Sequence, residues 1–293
     1  MTPVVSNDPR SRVVTRIGLT DYPPGREILE RVLATLREDG IAVLAGFPAE
    51  PDVLLRFACR LGRPEPRNQA EQPDLADTTK WVTRVWYRSE LPEDAERAYT
   101  QGATKLDPHT ARAAAPVQPR MLMMLMADPG VRLADTEIDN GQSQFARLDD
   151  AVAWLRDNHG AKRAAEVLST LSRVPISTEE PYPDVPVVAP ILRVRGDGEW
   201  QLRYWEGIRE HAANGETADQ VVGALADLDA ALAAVRFETV LDAGDLVLLD
   251  NDRVTHGRRA FPAWTTGPDG TRVPSSRLIY NLHVFSDLAT VRD

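Results

Sequence analysis

The chain has 293 residues, with 44 Asp and Glu against 34 Lys and Arg, so its formal net charge at pH 7 is −10. Because 43% of the residues are apolar, the composition excludes disorder throughout the chain and indicates an acidic globular protein. An acidic surface repels polyanions, which argues against a nucleic-acid or anionic-membrane partner and favours a small molecule.

The first half of the chain predicts a mixture of helices and strands. Residues 1–24 are polar and rich in proline, which predicts a flexible N-terminus. Apolar residues at helical spacing then predict two helices, one on each side of a buried strand in IAVLAGF. KWVTRVWYR alternates like a strand, and one of its faces presents Arg84, Trp86 and Arg88. RMLMMLM has no polar alternation, which predicts a central strand covered on both faces.

The second half begins with a helix-rich insertion, residues 145–236. Helical periods cover Leu148–Asp157 and Ala161–Ser172. A turn at Gly196–Gly198 joins two predicted strands. Thr217 with Gln220 then forms a capping box for another helix. Three strand-like runs follow: FETVL, DLVLLD and RLIYNLHVF. This order is neither a βαβ series nor all-α. We therefore expect one catalytic domain, 1–293, that is mainly β with helical decorations, as a sandwich or barrel.

No apolar run approaches the ~20 residues of a membrane span, so we expect a cytoplasmic protein without a membrane partner. The only cysteine, Cys59, cannot form an internal disulfide, which fits a reducing compartment. Its place among apolar residues at helical spacing predicts a buried thiol.

The histidines differ in their surroundings. His159 and His211 lie in polar stretches typical of exposed turns. His109 precedes a Thr-Ala pair ahead of the predicted central strand, and His256 lies in a polar, glycine-bearing turn after the apolar strand DLVLLD. Two imidazoles at the mouths of buried strands suit a metal site or an acid/base pocket.

Several segments, in order along about residues 30–285, resemble the taurine dioxygenase and clavaminate synthase-like branch of the iron(II), 2-oxoglutarate-dependent oxygenases. GDLVLLDNDRVTHGRRAF resembles the distal-histidine segment of that family, PHTA its first-histidine motif, and NGQS its Gly-Gly-(Glu/Asp)-Thr turn. RLIYNLHV resembles its closing arginine strand, and DGIAVLAGF and LGRP resemble its N-terminal region. The resemblance implies a double-stranded β-helix, a cupin-like jelly roll, that uses Fe(II), 2-oxoglutarate and O2.

The resemblance also implies roles for individual residues. His109 and His256 become iron ligands, and Ser143 of NGQS takes the position of a helper threonine. Arg277 opens the closing strand and would bind the distal carboxylate of 2-oxoglutarate through both oxygens. Arg272 is closer to the family's usual spacing, but TTGPDGTRVPSS predicts a loop insertion that places Arg272 off the strand. His283 lies farther along that strand, and we predict that it does not bind the iron.

Ala111 departs from the family pattern. The carboxylate ligand belongs two residues after the first histidine, where this chain has only a methyl group. The pattern resembles the aliphatic halogenases of the same superfamily, in which Ala or Gly replaces the acid and chloride binds the iron in its place. The resemblance therefore implies a halogenase that chlorinates an unactivated carbon, with chloride as a further cofactor.

Three alternatives stay open at this stage. A neighbouring acid replaces the missing ligand, and the candidates are Asp107, Asp135, Glu137 and Asp139. Alternatively, water or substrate completes the iron site, and the enzyme hydroxylates, desaturates or cyclises its substrate. The third alternative is a metal-free small-molecule-binding protein.

The substrate is not defined by the sequence, but the resemblance favours an amino-acid-like metabolite, either free or tethered to a carrier protein. Strands that flank the mouth of the predicted pocket supply the candidate substrate contacts, which are Arg84, Trp86, Arg88, Arg203 and Tyr204.

Overall fold

The computed structural model describes residues 14–66, 80–89, 102–132, 139–178, 187–196, 198–205, 208–212, 218–267, 269–289 and 291. The strands are β1 (Arg16–Gly18), β2 (Ile41–Ala45), β3 (Arg63–Pro64), β4 (Thr83–Trp86), β5 (Leu106–His109), β6 (Met121–Asp128), β7 (Ser143–Arg147), β8 (Ile176–Thr178), β9 (Val187–Ala189), β10 (Leu192–Val194), β11 (Trp200–Leu202), β12 (Phe237–Thr239), β13 (Leu246–Asp250), β14 (Val254–Arg258), β15 (Trp264–Thr266), β16 (Arg272–Pro274) and β17 (Leu278–Phe285). The helices are α1 (Arg26–Asp39), α2 (Pro51–Leu61), α3 (Leu148–Arg173), α4 (Ile208–Ala212) and α5 (Ala218–Ala234).

Two β-sheets form a jelly roll. The larger sheet has the order β1-β2-β13-β6-β17-β3, with β4 also paired to β17, and the smaller sheet has the order β12-β7-β14-β5. Buried apolar side chains from both sheets, including Met124, Phe145 and Val247, form one core cluster. The prediction of a mainly β chain with a double-stranded β-helix is confirmed.

Strand β6 is central, as its uninterrupted apolar sequence predicts. It pairs with β13 on one side and with β17 on the other. Met121, Met123 and Leu125 pack in the cluster formed with α1 and α2, whereas Leu122 and Met124 belong to the cluster shared by the two sheets. Because both faces of the strand are covered, neither accommodates polar residues.

Helices α1 and α2 bury their apolar stripes in the cluster that they form with the larger sheet. On α2, Leu54, Phe57 and Leu61 are buried, but Cys59 is exposed. The prediction of a buried thiol is therefore wrong. Cys59 lies between the buried positions of the helical repeat and points to the side that the stripe leaves open.

The helix-rich segment has its own apolar cluster, built largely from α3 and α5. A kink at Gly160, whose φ is 82°, divides α3 where the sequence predicts two helices. Strands β10 and β11 form the predicted hairpin. Thr217 lies outside the described residues, and α5 begins at Ala218. No helix in the described ranges is long and apolar enough to cross a membrane.

Two local predictions are wrong. His256 lies within β14 rather than in a turn, because the chain already reverses between Asp250 and Val254. TTGPDGTRVPSS is also not a plain loop, since the hairpin β15–β16 includes part of it. Arg272 nevertheless lies off the closing strand β17, as the sequence predicts. In both places the strands are short and rich in polar or glycine residues, so the alternation of apolar and polar side chains that indicates a strand is weak.

Candidate active site

His109 and His256 face each other on neighbouring strands. They are directly opposite in the β5–β14 ladder, and their ring centroids are 4.2 Å apart. His109 Nδ1 lies 2.9 Å from the backbone oxygen of Asp107, a contact of the kind that fixes the orientation of a metal-binding imidazole. His256 is buried, and its Nδ1 has no hydrogen-bond partner among the described residues. The two rings therefore fit a shared metal ion.

Both imidazoles favour the neutral form, which is the form that binds metals. Burial lowers the pKa of His109, partly opposed by hydrogen bonding to the Asp107 backbone and by the Asp107 charge. Burial, followed by the neighbouring His109 and His283, lowers the pKa of His256 well below its usual value.

Ala111 is buried in the core cluster shared by the two sheets, so its methyl group lies inside the jelly roll. Within the described ranges, no group of three or more His, Cys, Asp or Glu side chains is arranged to hold a metal ion. Asp107 pairs with Lys105 at 2.8 Å, and Asp139 lies 3.7 Å from Arg259. The other two acids considered as substitutes, Asp135 and Glu137, lie outside the described residues.

A cationic pocket lies at the end of β14, where Arg258 follows His256 by two residues. Arg258 and Arg277 are both buried, and their hydrogen-bond partners among the described residues are backbone oxygens rather than carboxylates. Burial lowers the pKa of Arg258 to about 10, and burial together with Arg258 and Arg132 lowers the pKa of Arg277 to about 9. Both side chains are still charged at neutral pH. Buried cations without a counter-ion are costly, so this pocket fits an anionic ligand.

The hydrogen bonds of the two arginines leave donors for such a ligand. Arg277 donates to the backbone oxygens of Gly141 and Pro129, and Arg258 donates to those of Gly102 and Thr104. Each Nε has no partner in the described part of the chain. A guanidinium fixed in this way presents its remaining N–H groups in a set direction, as bidentate carboxylate binding requires.

The NGQS turn contacts the Arg277 guanidinium. Gly141 has a φ of 69°, and a Cβ at this position would lie 2.9 Å from Arg277 Nη1. Only glycine therefore allows this close approach without a shift. Ser143 is buried on β7 and pairs in register with Arg258, so the helper position proposed from sequence lies beside the cationic pocket.

Aromatic and aliphatic side chains complete the pocket. The residues that line it together with the two arginines are Val85, Trp86, Tyr87, Phe261 and Ile279. Tyr87 and Phe261 meet edge to face, with ring centroids 5.9 Å apart. These walls lower the local polarity and strengthen ionic contacts made inside.

Arg84 and Trp86 lie on β4, and the second of them lines this pocket. They pair with Tyr280 and Leu278 of β17, whereas Val85 pairs with Ile279, which lines the pocket. The guanidinium groups of Arg84 and Arg88 stack on Trp86 at 5.3 and 5.6 Å from the ring centroid. Of these three candidate substrate contacts, Trp86 lines the pocket that contains Arg258 and Arg277.

Arg203 and Tyr204 lie next to the segment that follows His109. The backbone oxygen of Tyr204 accepts a hydrogen bond from Thr110 N at 2.8 Å, but the Tyr204 hydroxyl donates to Asp229 in the helix-rich segment. Arg203 Nε donates to the Ala113 oxygen at 2.9 Å. Burial, and then Arg193, lower the pKa of Arg203 to about 10. The side chain of Arg203 therefore lies nearer to the turn after His109 than the side chain of Tyr204 does.

His283 lies close enough to His256 to lower its pKa, and its exclusion from the iron site stays a prediction. Its Nδ1 is 3.2 Å from Glu65 Oε2, and Arg112 contacts the other Glu65 oxygen at 3.3 Å. Arg112 directly follows Ala111 and has a φ of 59°. Glu65 thus links β17 to the turn that contains Ala111, where the family's carboxylate ligand is absent.

A jelly roll with opposed histidines and buried arginines suits a non-heme iron oxygenase that takes a 2-oxo-acid cosubstrate. The family described as taurine catabolism dioxygenase TauD, TfdA family matches residues 11–273, and the chain belongs to it. It is therefore an Fe(II)/2-oxoglutarate-dependent oxygenase.

Individual relatives agree with this assignment. The chain is 29% identical to enduracididine beta-hydroxylase from Streptomyces hygroscopicus, over 91% of this chain and 84% of that protein. Asparagine oxygenase has a similar fold, with a TM-score of 0.61 and 23% identity over 89% of this chain and 79% of that one. The non-heme iron oxygenase OrfP, solved with Fe and alpha-ketoglutaric acid, has a TM-score of 0.61 and 19% identity over 90% and 81% of the two chains.

Three features of the site were not predicted from sequence: Arg258, the Tyr87–Phe261 wall and the contact of Gly141 with Arg277. A signal existed for Arg258, which follows His256 by two residues and therefore shares its strand face. Placing His256 in a turn hid that signal.

Replacing Arg277 with alanine is expected to weaken 2-oxoglutarate binding by at least about tenfold, because removing one partner of a buried ion pair costs about 2–5 kcal/mol. Arg272→Ala is the matched control, since Arg272 is exposed on β16 and stacks on Trp264. Anaerobic calorimetry with the iron-loaded protein measures both affinities. A large loss in Arg272→Ala with none in Arg277→Ala would reverse the assignment.

Proposed function

We propose that this oxygenase acts on an unactivated C–H bond of a small, amino-acid-like metabolite and that the reaction ends in chlorination. Ala111 carries this proposal, because the position of the family's carboxylate ligand holds a methyl group and none of the described acids takes its place. The names of the relatives support the substrate class, since they include enduracididine and asparagine.

The residues of this chain would divide the work between the middle of β14, at His256, and its last residue, Arg258. His109 and His256 would hold Fe(II) as neutral ligands. Arg277 would pair with the distal carboxylate of 2-oxoglutarate, with Arg258 and Ser143 beside it. Together with O2, the bound iron and 2-oxoglutarate supply the oxidation and yield succinate and CO2. The protein would bind and orient the substrate and exclude water from the reacting carbon.

The position beside Ala111 suits chloride for reasons of space and charge. A methyl group leaves room where a carboxylate would lie, and chloride would restore the negative charge that the missing acid would contribute. Arg203, whose Nε donates to the Ala113 oxygen, is a predicted substrate contact close to this position. A substrate carboxylate or phosphate, free or on a carrier protein, suits this cation.

A second candidate is a hydroxylase whose iron site is completed by water or substrate. One observation favours it, namely that the relative at 29% identity is named a hydroxylase. Desaturation and cyclisation belong to the same candidate, because they too need no halide.

Turnover with and without chloride separates the two candidates. Purified protein is supplied with Fe(II), 2-oxoglutarate, O2 and a panel of basic and amide amino acids, free and carrier-bound, and the products are analysed by mass spectrometry. We expect a chlorinated product only when chloride is present, and a brominated one when bromide replaces it. A hydroxylated product that is independent of halide would establish the second candidate.

A further inference from the structure

Asn251 makes several hydrogen bonds to the segment around Ala111, where the family's carboxylate ligand is absent. It is fully buried in the turn between β13 and β14. Its Oδ1 accepts a hydrogen bond from the backbone N–H of Ala111 at 2.6 Å, and its Nδ2 donates to the Ala111 oxygen at 2.9 Å. The same Nδ2 also donates to the Pro119 oxygen at 2.8 Å. One side chain therefore holds both ends of the turn that follows His109.

These contacts begin where the β-ladder ends. Strand β5 stops at His109, which is the last β5 residue paired with β14. Beyond it, the Asn251 amide meets both the N–H and the C=O of Ala111, as an opposite strand residue would. The orientation of the amide is fixed by its partners, since the N–H of Ala111 needs an acceptor and the two carbonyls need donors. The next residue, Arg112, has a φ of 59°, so regular strand structure does not continue.

An acid at position 111 would be tied to the metal and would fix this segment by that bond. Alanine has no such bond. We propose that Asn251 is a positioning residue for the metal site, which holds the backbone at Ala111 and thereby keeps the His109 ring opposite His256. This inference rests on the proposed metal site at the two histidines.

Gln118 provides a matched control for Asn251. Its side-chain amide also donates to two backbone carbonyls, those of Leu202 and Asn251, at 3.0 and 3.1 Å. It lies in the same region but makes no hydrogen bond to residues 109–111. Asn251→Ala and Gln118→Ala therefore remove similar bonds at two places, and only the first releases Ala111.

The first readout uses the metal-free protein. Hydrogen–deuterium exchange should find the Ala111 amide protected in the wild type and exchanging at least about tenfold faster in Asn251→Ala, because its buried acceptor is lost. Gln118→Ala should leave that amide protected. An unprotected Ala111 amide in the wild type would overturn the inference without any variant.

The second readout is Fe(II) affinity, measured by anaerobic titration in the presence of 2-oxoglutarate. Asn251→Ala should bind Fe(II) at least about tenfold more weakly than Gln118→Ala. If Asn251→Ala does not fold, Asn251→Asp replaces it, since this variant keeps the size and the acceptor but lacks the two donated bonds. Equal affinities in the Asn251 variant and Gln118→Ala would overturn the inference. A wild type that binds no Fe(II) would instead overturn the proposed function.

Discussion

His109→Ala and His256→Ala are each expected to abolish tight Fe(II) binding, together with the visible charge-transfer absorption that Fe(II) gives with bound 2-oxoglutarate. The effect should be large because these two imidazoles are the protein ligands that the site offers in the described residues. With one ring removed, a single nitrogen ligand is left. Anaerobic absorption spectra and metal analysis of the purified variants measure the loss.

His159→Ala is the matched control, because His159 is exposed on α3 next to Trp154. It should keep both the absorption band and the iron content of the wild type. If both variants at 109 and 256 retain the full band, the metal site does not involve this pair.

Ala111→Asp is expected to stop chlorination and to introduce, at best, weak hydroxylation. An aspartate there would lie two residues from His109, where it could bind the metal and exclude chloride. Ala111 is buried, so the larger side chain should also cost about 1–3 kcal/mol of stability. Product analysis is therefore combined with thermal unfolding and iron content.

Ala111→Gly is the control for this substitution, because it keeps the ligand position open. The Ala111→Gly protein should still chlorinate its substrate, although the same residue is changed. If the folded, iron-loaded Ala111→Asp protein still chlorinates its substrate, chloride does not occupy the position beside residue 111.

The central strand and the segments that form the candidate site could be predicted from sequence because their signals are local. Strand β6 is one uninterrupted apolar run. This run alone predicts that both faces of the strand are covered, without knowledge of the strands that lie beside it. His109, His256 and Arg277 each lie in a segment that resembles a family motif. The structure brings both histidines together and places Arg277 in a cationic pocket.

The features that the sequence did not reveal depend on contacts between distant parts of the chain. Alternation in KWVTRVWYR groups Arg84, Trp86 and Arg88 on one face, and both guanidinium groups stack on Trp86. Only the pairing of β4 with β17 shows that this strand lies beside the pocket of Arg277. Exposure of Cys59 depends likewise on where the larger sheet covers α2. Asn251 contacts Ala111 across a long stretch of chain, and no periodic pattern encodes such a contact.

The central claim is that His109, His256 and Arg277 together hold Fe(II) and 2-oxoglutarate. A crystal structure of the protein prepared anaerobically with Fe(II), 2-oxoglutarate and chloride tests it most directly, with anomalous scattering to locate the iron. We expect iron bound to both imidazoles, the distal carboxylate of 2-oxoglutarate paired with Arg277, and chloride beside Ala111. Iron bound away from the two histidines, or 2-oxoglutarate bound away from Arg277, would contradict the account.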